Sequence, residues 1–369
     1  MKVLELTGEP ILSGGQESFI FNVIKHIKKK DLQIDVLTLY NCENNYYRSI
    51  VEGIGGKVIT FNLPFNPGGL RCNMLLPLLR FLRVNKYDVI HIHSGSITVL
   101  AIGALAARLS GIKNIIVHSH STGKIKNFKY RFLRLFSFPL LEWIPNHYCA
   151  CSYEAGLWKF PKNIVDKKLQ VIDNGIDLDV FSPNERIRIE MRKELGIQDS
   201  TSILGHVGRF SPTKNHSFII SIFNEYQKKH PDCKLLLVGE GELYEDINEL
   251  VDKLGLKDKV IMPGATSKVA DYMQAMDLFL FPSLWEGLGL VAVEAQGIGM
   301  PVIASTNVPR LMKIADEVIF LDLDKKQEWI NAIERLINVG RKANREKLRK
   351  AGFDINQTAE EIRKIYFQN

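Results

Sequence analysis

Long apolar runs are missing from this chain of 369 residues. The longest mostly apolar stretch, Ile97 to Ala107, falls well short of the roughly 20 residues that a membrane-crossing helix needs. The N-terminus, MKVLELTGEP, reads as a strand and lacks the apolar core and small-residue cleavage site of a secretory leader. Cysteine is scarce. The five present are scattered and odd in number, which excludes a disulfide framework and fits a reducing cytoplasm. Cys149 and Cys151 share one face of an apparent strand, where packing accounts for them better than metal binding. Acidic residues run short in one half only. Residues 1–180 hold 22 Lys and Arg against 14 Asp and Glu, whereas residues 181–369 hold 26 against 27. The net charge of +7 therefore sits in the first half and favours an anionic counterpart, such as a membrane surface or a phosphorylated acceptor. Nucleic acid is disfavoured, because no base-stacking platform accompanies the basic residues. There is no solenoid-period repeat and no low-complexity tract.

What is present is a long alternation of short β-branched runs with helical spacing. Strands are expected at Val3–Leu6, Ile34–Leu39, Val58–Phe61, Val89–Ile92, Asn114–His118 and Tyr148–Ala150. A second series follows at Ser202–Val207, Lys234–Val238, Val260–Met262, Leu278–Phe281, Val302–Ala304 and Val318–Leu321. Between them lie helical segments such as Gly15–Lys29, with Phe19, Ile20, Val23, Ile24 and Ile27 on one face. Strands this apolar, separated by helices, imply α/β architecture with parallel sheets covered on both faces. Two series imply two Rossmann-like, doubly wound domains facing a cleft, with the break near NGIDLDVFSPNE. Ligands of such sheets bind at the carboxyl ends of the strands, so the loops after strands are where chemistry belongs.

Those loops carry few but pointed features. Gly14 and Gly15 precede the first helix and permit close backbone approach to a phosphate or sugar, or simply a tight turn. The spacing G-x-G-x-x-G is absent and no acid ends the second strand, which disfavours NAD. HIHSGS and VHSHSTG place His91 with His93, and His118 with His120, on shared strand faces. No carboxylate or thiolate lies nearby in sequence, so one histidine at a strand end is expected to work and the others to pack. In ILGHVGRFSPTKNHSF, Arg209 and Lys214 stand between a strand and a helix, where two cations suit a diphosphate. VIMPGAT places Gly264 at another strand end. Finally, FPSLWEGLGLVAVEAQG sets Glu286 and Glu294 around a Gly-x-Gly turn, with a helix expected from about Leu288. The N–H groups of Gly287, Leu288, Gly289 and Leu290 would then face a phosphate, while the carboxylates suit sugar hydroxyls.

EGLGLVAVEAQGIGMPVIAS resembles the E-x7-E signature of retaining glycosyltransferases with the GT-B fold, sequence family 4. VGRFSPTKNH, LLVGEGEL, VIMPGA, MQAMDLFLFPSLWEG and VIDNGIDLDVF resemble the family's other segments in order, with GGQES and VHSHS as weaker matches. The overall pattern is similar to bacterial enzymes of capsular and exopolysaccharide assembly. The resemblance implies domains at 1–172 and 173–352, with a C-terminal helix, 353–369, returning to the first. It implies a nucleotide-sugar donor, taken as a UDP-sugar, and a saccharide acceptor, taken as lipid-linked. Glu286 would hold donor-sugar hydroxyls, Glu294 the ribose, and Arg209 and Lys214 the departing diphosphate. Gly264 would meet the base, Gly14 and Gly15 the diphosphate, and His120, with His118 as second choice, the sugar near its anomeric carbon. Neither cofactor, metal nor protein nucleophile is implied. The expected location is the cytoplasm, with peripheral contact to anionic membrane through the basic stretch 124–134. A GT-B nucleotide-sugar epimerase is the alternative. Two features depart from the pattern or cut across it. STNVPRLMKIADEV lacks the Gly-Gly-x-x-Glu of many relatives, and Asp-x-Asp occurs at Asp177–Asp179 and Asp322–Asp324 without a diphosphate loop nearby.

Overall fold

The computed structural model describes residues 1–11, 14–42, 44–64, 71–121 and 128–368. Two compact units emerge, one formed by Met1–Gly175 with Gly352–Asn369, the other by Ile176–Ala351. In the first, seven strands run parallel: β1 (Lys2–Thr7), β2 (Gln33–Thr38), β3 (Val58–Thr60), β4 (Val89–Ser94), β5 (Asn114–Ser119), β6 (His147–Ala150) and β7 (Leu169–Val171). Their spatial order is β3-β2-β1-β4-β5-β6-β7.

Alternation along each strand decides which residues meet which helices. Leu4, Leu6, Ile90, Ile92, Ile115 and Val117 pack with the helices Leu75–Val84 and Ile97–Leu109. Val3, Val89, Ile116 and Cys149 point the other way, onto the helices Gly15–His26 and Ile355–Phe367. A fully buried aliphatic side chain contributes about 1.5–3 kcal/mol relative to exposure. That layer can therefore absorb polar residues, and it does. Glu5, His91, His93 and His118 lie on the same face and are buried.

The second unit has six parallel strands: β8 (Ser202–Val207), β9 (Cys233–Val238), β10 (Val260–Gly264), β11 (Leu278–Phe281), β12 (Val302–Ser305) and β13 (Val318–Leu321). They lie in the order β10-β9-β8-β11-β12-β13. Leu204, Leu235, Leu237, Leu278, Leu280 and Ile303 pack one face against Phe223 and Trp329. In each order the winding direction reverses once, between β1 and β4 and between β8 and β11. These are the topological switch points where crevices open at the strand ends.

The strand series is present at the expected places, with one addition. β7 has only three residues, one of them Gln170, and sits at the sheet edge. Three residues are too few to show a period. The first helix ends at His26 instead of Lys29, because Ile27 turns extended with ψ 136°.

Candidate active site

Three turns after β8, β9 and β10 interlock through glycine. Gly239, at φ +141°, lies so close to the Gly208 carbonyl that a Cβ would stand 2.1 Å from its oxygen. Gly241, at φ +156°, approaches the Phe210 carbonyl in the same way, at 2.4 Å. The backbone of Gly208 donates to Val238, Phe210 to Glu240 and Gly239 to Gly264. No side chain fits between these strands of backbone. The turns therefore form a rigid rim, with Gly264 at one end of it.

The loop after β8 then reaches the switch point. Asn215 adopts a left-handed φ of +57°, which Asn tolerates better than most residues. It also donates from its side chain to the Pro282 carbonyl at 3.2 Å. The neighbouring Thr213 carbonyl accepts from Leu284 N–H at 2.8 Å, so the loops after β8 and β11 are stitched together. This brings Lys214 Nζ to 2.6 Å from Glu286 Oε1, with both side chains largely shielded from solvent. The ammonium also lies 5.4 Å from the centre of the Phe281 ring, within cation–π range. Buried His206 and His216 line the same region, and burial holds both imidazoles below their ordinary pKa, His216 at about 4. They are neutral near pH 7, so the charge at this point belongs to Lys214.

Glu294 lies in the second turn of the helix Leu290–Gly297. Burial pushes its carboxyl up to about 7, and Lys214 is the one charge opposing that shift. No described residue hydrogen-bonds the carboxyl. Lys214, Glu286 and Glu294 are therefore one electrostatic group. Glu286, which in sequence is free to reach outward, instead has one oxygen engaged by Lys214.

The helix itself starts two residues later than expected, at Leu290. Gly289 is left-handed at φ +83°, and a Cβ there would stand 2.8 Å from the Phe281 ring. Gly287 and Leu288 thus belong to the turn, and the N–H groups of the first helical turn begin at Leu290. Arg209 is not gathered into this group. Its side chain is 69% exposed and pairs with Glu242 at 3.3 Å. Buried Gln296 was not singled out from sequence. Its amide donates to the Met312 carbonyl and accepts from Ile314 and Ala315, pinning the loop that lacks the Gly-Gly-x-x-Glu pattern. The Asp-x-Asp pairs have local partners: Asp177 caps Asp179 and Val180, Asp179 pairs with Arg345, and Asp322 accepts from Thr306.

In the first unit, Gly14 caps the helix Gly15–His26 with extended backbone, and a Cβ on Gly15 would meet nothing within 4 Å. The Glu17 carboxyl, which burial pushes up, already occupies the space beside Gly14, where a Cβ would stand 2.5 Å from its oxygen. Glu9, also missed in sequence, sits at the β1–β4 switch point. It accepts from Ser94 Oγ at 2.8 Å, Gly95 N–H at 3.1 Å and Gln16 at 3.1 Å. Buried Lys159 donates to the Gly95 carbonyl, and burial brings its pKa down to about 8 although Glu9 opposes that.

The four histidines are not separate packing residues but one stack on the face shared with Glu5. His93 Nε2 is 2.7 Å from Glu5 Oε2, and His93 Nδ1 is 2.8 Å from His120 Nε2. His91 Nε2 lies 3.2 Å from His118 Nδ1, and His91 Nδ1 lies 3.1 Å from the Tyr366 hydroxyl, which donates to Glu5. His120, the residue that follows β5, is the one of the four that is not fully buried. His91, His93 and His118 bring ring nitrogens within 4.8 Å of one another, close enough to share a metal ion, yet each ring already has a hydrogen-bond partner in the stack.

Residues 13–180 match the family described as Glycosyltransferase Family 4, and residues 187–354 match Glycosyl transferases group 1. A putative glycosyltransferase of Bacillus subtilis, EpsF, is 29% identical over 362 residues, 96% of this chain and 93% of its own. An Escherichia coli enzyme is 28% identical over 79% of this chain and 78% of its own length. It is named UDP-Gal:alpha-D-GlcNAc-diphosphoundecaprenol alpha-1,3-galactosyltransferase. Among solved structures, Anabaena Alr3699/HepE in complex with UDP and glucose superposes with a TM-score of 0.77 at 20% identity, covering 99% of this chain and 98% of its own. WaaG, a glycosyltransferase involved in lipopolysaccharide biosynthesis, gives 0.71 at 16%, covering 99% and 100%. The fold is GT-B.

Proposed function

Because this chain belongs to the family 4 glycosyltransferases, whose group 1 region forms its second half, we propose that it is a retaining enzyme of polysaccharide assembly. It moves a sugar from a UDP-sugar to a hydroxyl of a lipid-linked saccharide. The observation that carries this reading is the meeting of Lys214, Glu286 and Glu294 at a switch point, beside a helix N-terminus. In this reading Lys214 and the first-turn N–H groups stabilise the diphosphate as it leaves, the kind of electrostatic term that dominates many enzymes. Glu286 holds donor-sugar hydroxyls with its second oxygen, and Glu294 the ribose. Gly14, Gly15 and Gly264 allow close approach of backbone to donor, and His120 contacts the sugar. The departing phosphate helps deprotonate the acceptor, so no side chain serves as nucleophile. These cations and dipoles supply the charge that a metal would, so the enzyme reads as metal-independent. The relatives' names support the donor and the lipid-linked acceptor.

Thermal shift with UDP-, GDP- and ADP-sugars tests the donor. A ligand at a hundredfold excess over its Kd stabilises by about 2.7 kcal/mol, and the UDP-sugar is expected to do so. Stabilisation by a GDP-sugar alone overturns the donor assignment. NMR of the product should show the donor's anomeric configuration. Conversion of the nucleotide sugar without any acceptor would instead mark an epimerase.

Arg209 is proposed to swing from Glu242 to the diphosphate. Arg209→Ala should weaken nucleoside diphosphate binding at least tenfold, given the roughly 2–5 kcal/mol lost when one partner of a desolvated pair is truncated. Unchanged affinity by calorimetry removes Arg209 from the site.

Peripheral membrane docking is proposed for the helix Phe128–Trp143. Among the described residues, no helix is long and apolar enough to cross a membrane. In this helix Tyr130, Leu133, Phe138 and Leu140 pack on the core, but Phe132, Leu135, Phe136 and Trp143 are exposed, Trp143 at 84%. Arg131 and Arg134 share the helix, whereas Lys124 and Lys126 fall outside the described residues. Each cation near an anionic surface contributes about 1 kcal/mol. Co-sedimentation is expected with anionic but not neutral vesicles, and lost when Lys126, Lys129 and Arg134 are changed to Glu. Equal recovery of wild type and triple variant at low salt leaves the helix without this role.

A further inference from the structure

Hydrogen-bond direction in the buried stack is fixed from one end. Glu5 stands in the middle of β1, where an apolar residue would otherwise belong. Burial alone would push its carboxyl up, but hydrogen bonds from His91 and His93 hold it well below the usual carboxylate range. An ionised carboxylate has only acceptors. His93 Nε2, 2.7 Å away, must therefore carry the hydrogen. Burial and neighbouring His91 keep His93 neutral, with a pKa of about 4, so its Nδ1 is bare and accepts. His120 Nε2 lies 2.8 Å from that Nδ1 and must in turn be the protonated nitrogen. Burial holds His120 neutral as well, so its Nδ1 is left without a hydrogen.

We infer that Glu5 and His93 are positioning residues that lock His120 into the Nε2–H tautomer, so that its Nδ1 offers a lone pair to a saccharide hydroxyl. The inference rests on the proposed contact between His120 and the sugar, and adds what that contact is: an acceptor, which selects a ligand that donates there. Phe19, whose ring centre lies 5.1 Å from that of His120 and 4.9 Å from that of His118, holds the stack against the helix Gly15–His26. Tautomer and ring orientation are thus set by groups that never meet the substrate.

Long-range proton–nitrogen NMR on the full chain with 15N-labelled histidine reads this directly, because bare and protonated ring nitrogens resonate far apart. Without any ligand at pH 7.5, both His93 and His120 are expected as Nε2–H tautomers. His93→Phe keeps an aromatic ring but removes the acceptor. There His120 should give averaged nitrogen shifts, and kcat should fall about tenfold, the loss of one oriented hydrogen bond, with UDP affinity unchanged. His93→Asn, whose carbonyl oxygen can replace Nδ1, should restore both the His120 tautomer and most of the rate. An Nδ1–H or cationic His120 in the wild type overturns the inference, as does a shift of these resonances on adding zinc that chelator reverses. If the tautomers are as expected but His120→Ala leaves transfer intact, the relay stands and the sugar-contact reading of His120 fails.

Discussion

Lys214→Ala is expected to lower kcat/KM for sugar transfer by about 30-fold or more, following the roughly 2–5 kcal/mol lost when one partner of a buried, hydrogen-bonded charge pair is removed. Two effects act in the same direction. The variant loses the cation proposed to meet the diphosphate. It also leaves Glu286, previously 2.6 Å from the ammonium, as an uncompensated negative charge beside Glu294. The second effect can be isolated. Adding Glu286→Gln to the Lys214→Ala variant removes the orphaned charge and should recover part of the lost nucleoside diphosphate affinity in calorimetry, although not the transfer rate. Wild-type kcat/KM in Lys214→Ala would falsify the placing of the donor at this group.

Glu294→Gln should stabilise the protein while weakening its ligand binding. The carboxyl's folded pKa of about 7 lies above its ordinary 4.5, because burial disfavours the charge. A group raised in this way contributes stability that is fully present below the unfolded pKa and is lost as pH rises through the folded one. The window therefore runs from pH 4.5 to 7. Above it the ionised carboxylate costs roughly 3 kcal/mol at order-of-magnitude level. Urea unfolding at pH 8 should show the glutamine variant more stable by up to that amount, with little difference at pH 4.5. Calorimetry should show weaker nucleoside diphosphate binding, since the ribose partner is gone. Glu286→Ala, by contrast, should leave that binding nearly intact yet cut transfer. A glutamine variant no more stable at pH 8 than wild type contradicts the burial cost. Equal loss of affinity in Glu286→Ala and Glu294→Ala contradicts the division between sugar and ribose.

Much of this was readable in the chain because parallel sheets put function on loops after strands. Lys214, Glu286 and Glu294 were identifiable as polar residues in such loops, although their mutual contact was not. Lys214 and Glu286 are separated by 72 positions, and only the β8–β11 adjacency brings them together. Arg209 resembled Lys214 in sequence, yet the turn aims it at Glu242 in the loop after β9. The start of the signature helix was misplaced because a Gly-x-Gly turn does not reveal which glycine is left-handed. Glu5 left a signal that sequence reasoning passed over. A carboxylate inside VLEL, in a strand buried on both faces, requires a partner, and the two-residue histidine spacing in HIH and HSH supplied one on the same face. Tyr366, 361 positions from Glu5, left none.

The helix Ile355–Phe367 has a bearing on how the protein comes into being. Ile355, Ala359, Ile362, Ile365 and Tyr366 are buried in the core of the first unit, and the Tyr366 hydroxyl reaches Glu5 near the opposite end of the chain. On the ribosome the first unit is therefore started first and finished last. Domains generally form as units during synthesis, N-terminal before C-terminal. Here residues 176–351 emerge as one uninterrupted unit, while the sheet begun at Lys2 still lacks part of its cover and the hydroxyl that Glu5 and His91 share. A nascent chain that stalls before residue 355 carries a complete second unit and an exposed apolar face on the first. Apolar surface exposed in this way makes an intermediate prone to aggregation. Only when residues 355–367 join the first unit is its core closed and are the Tyr366 hydrogen bonds to Glu5 and His91 made.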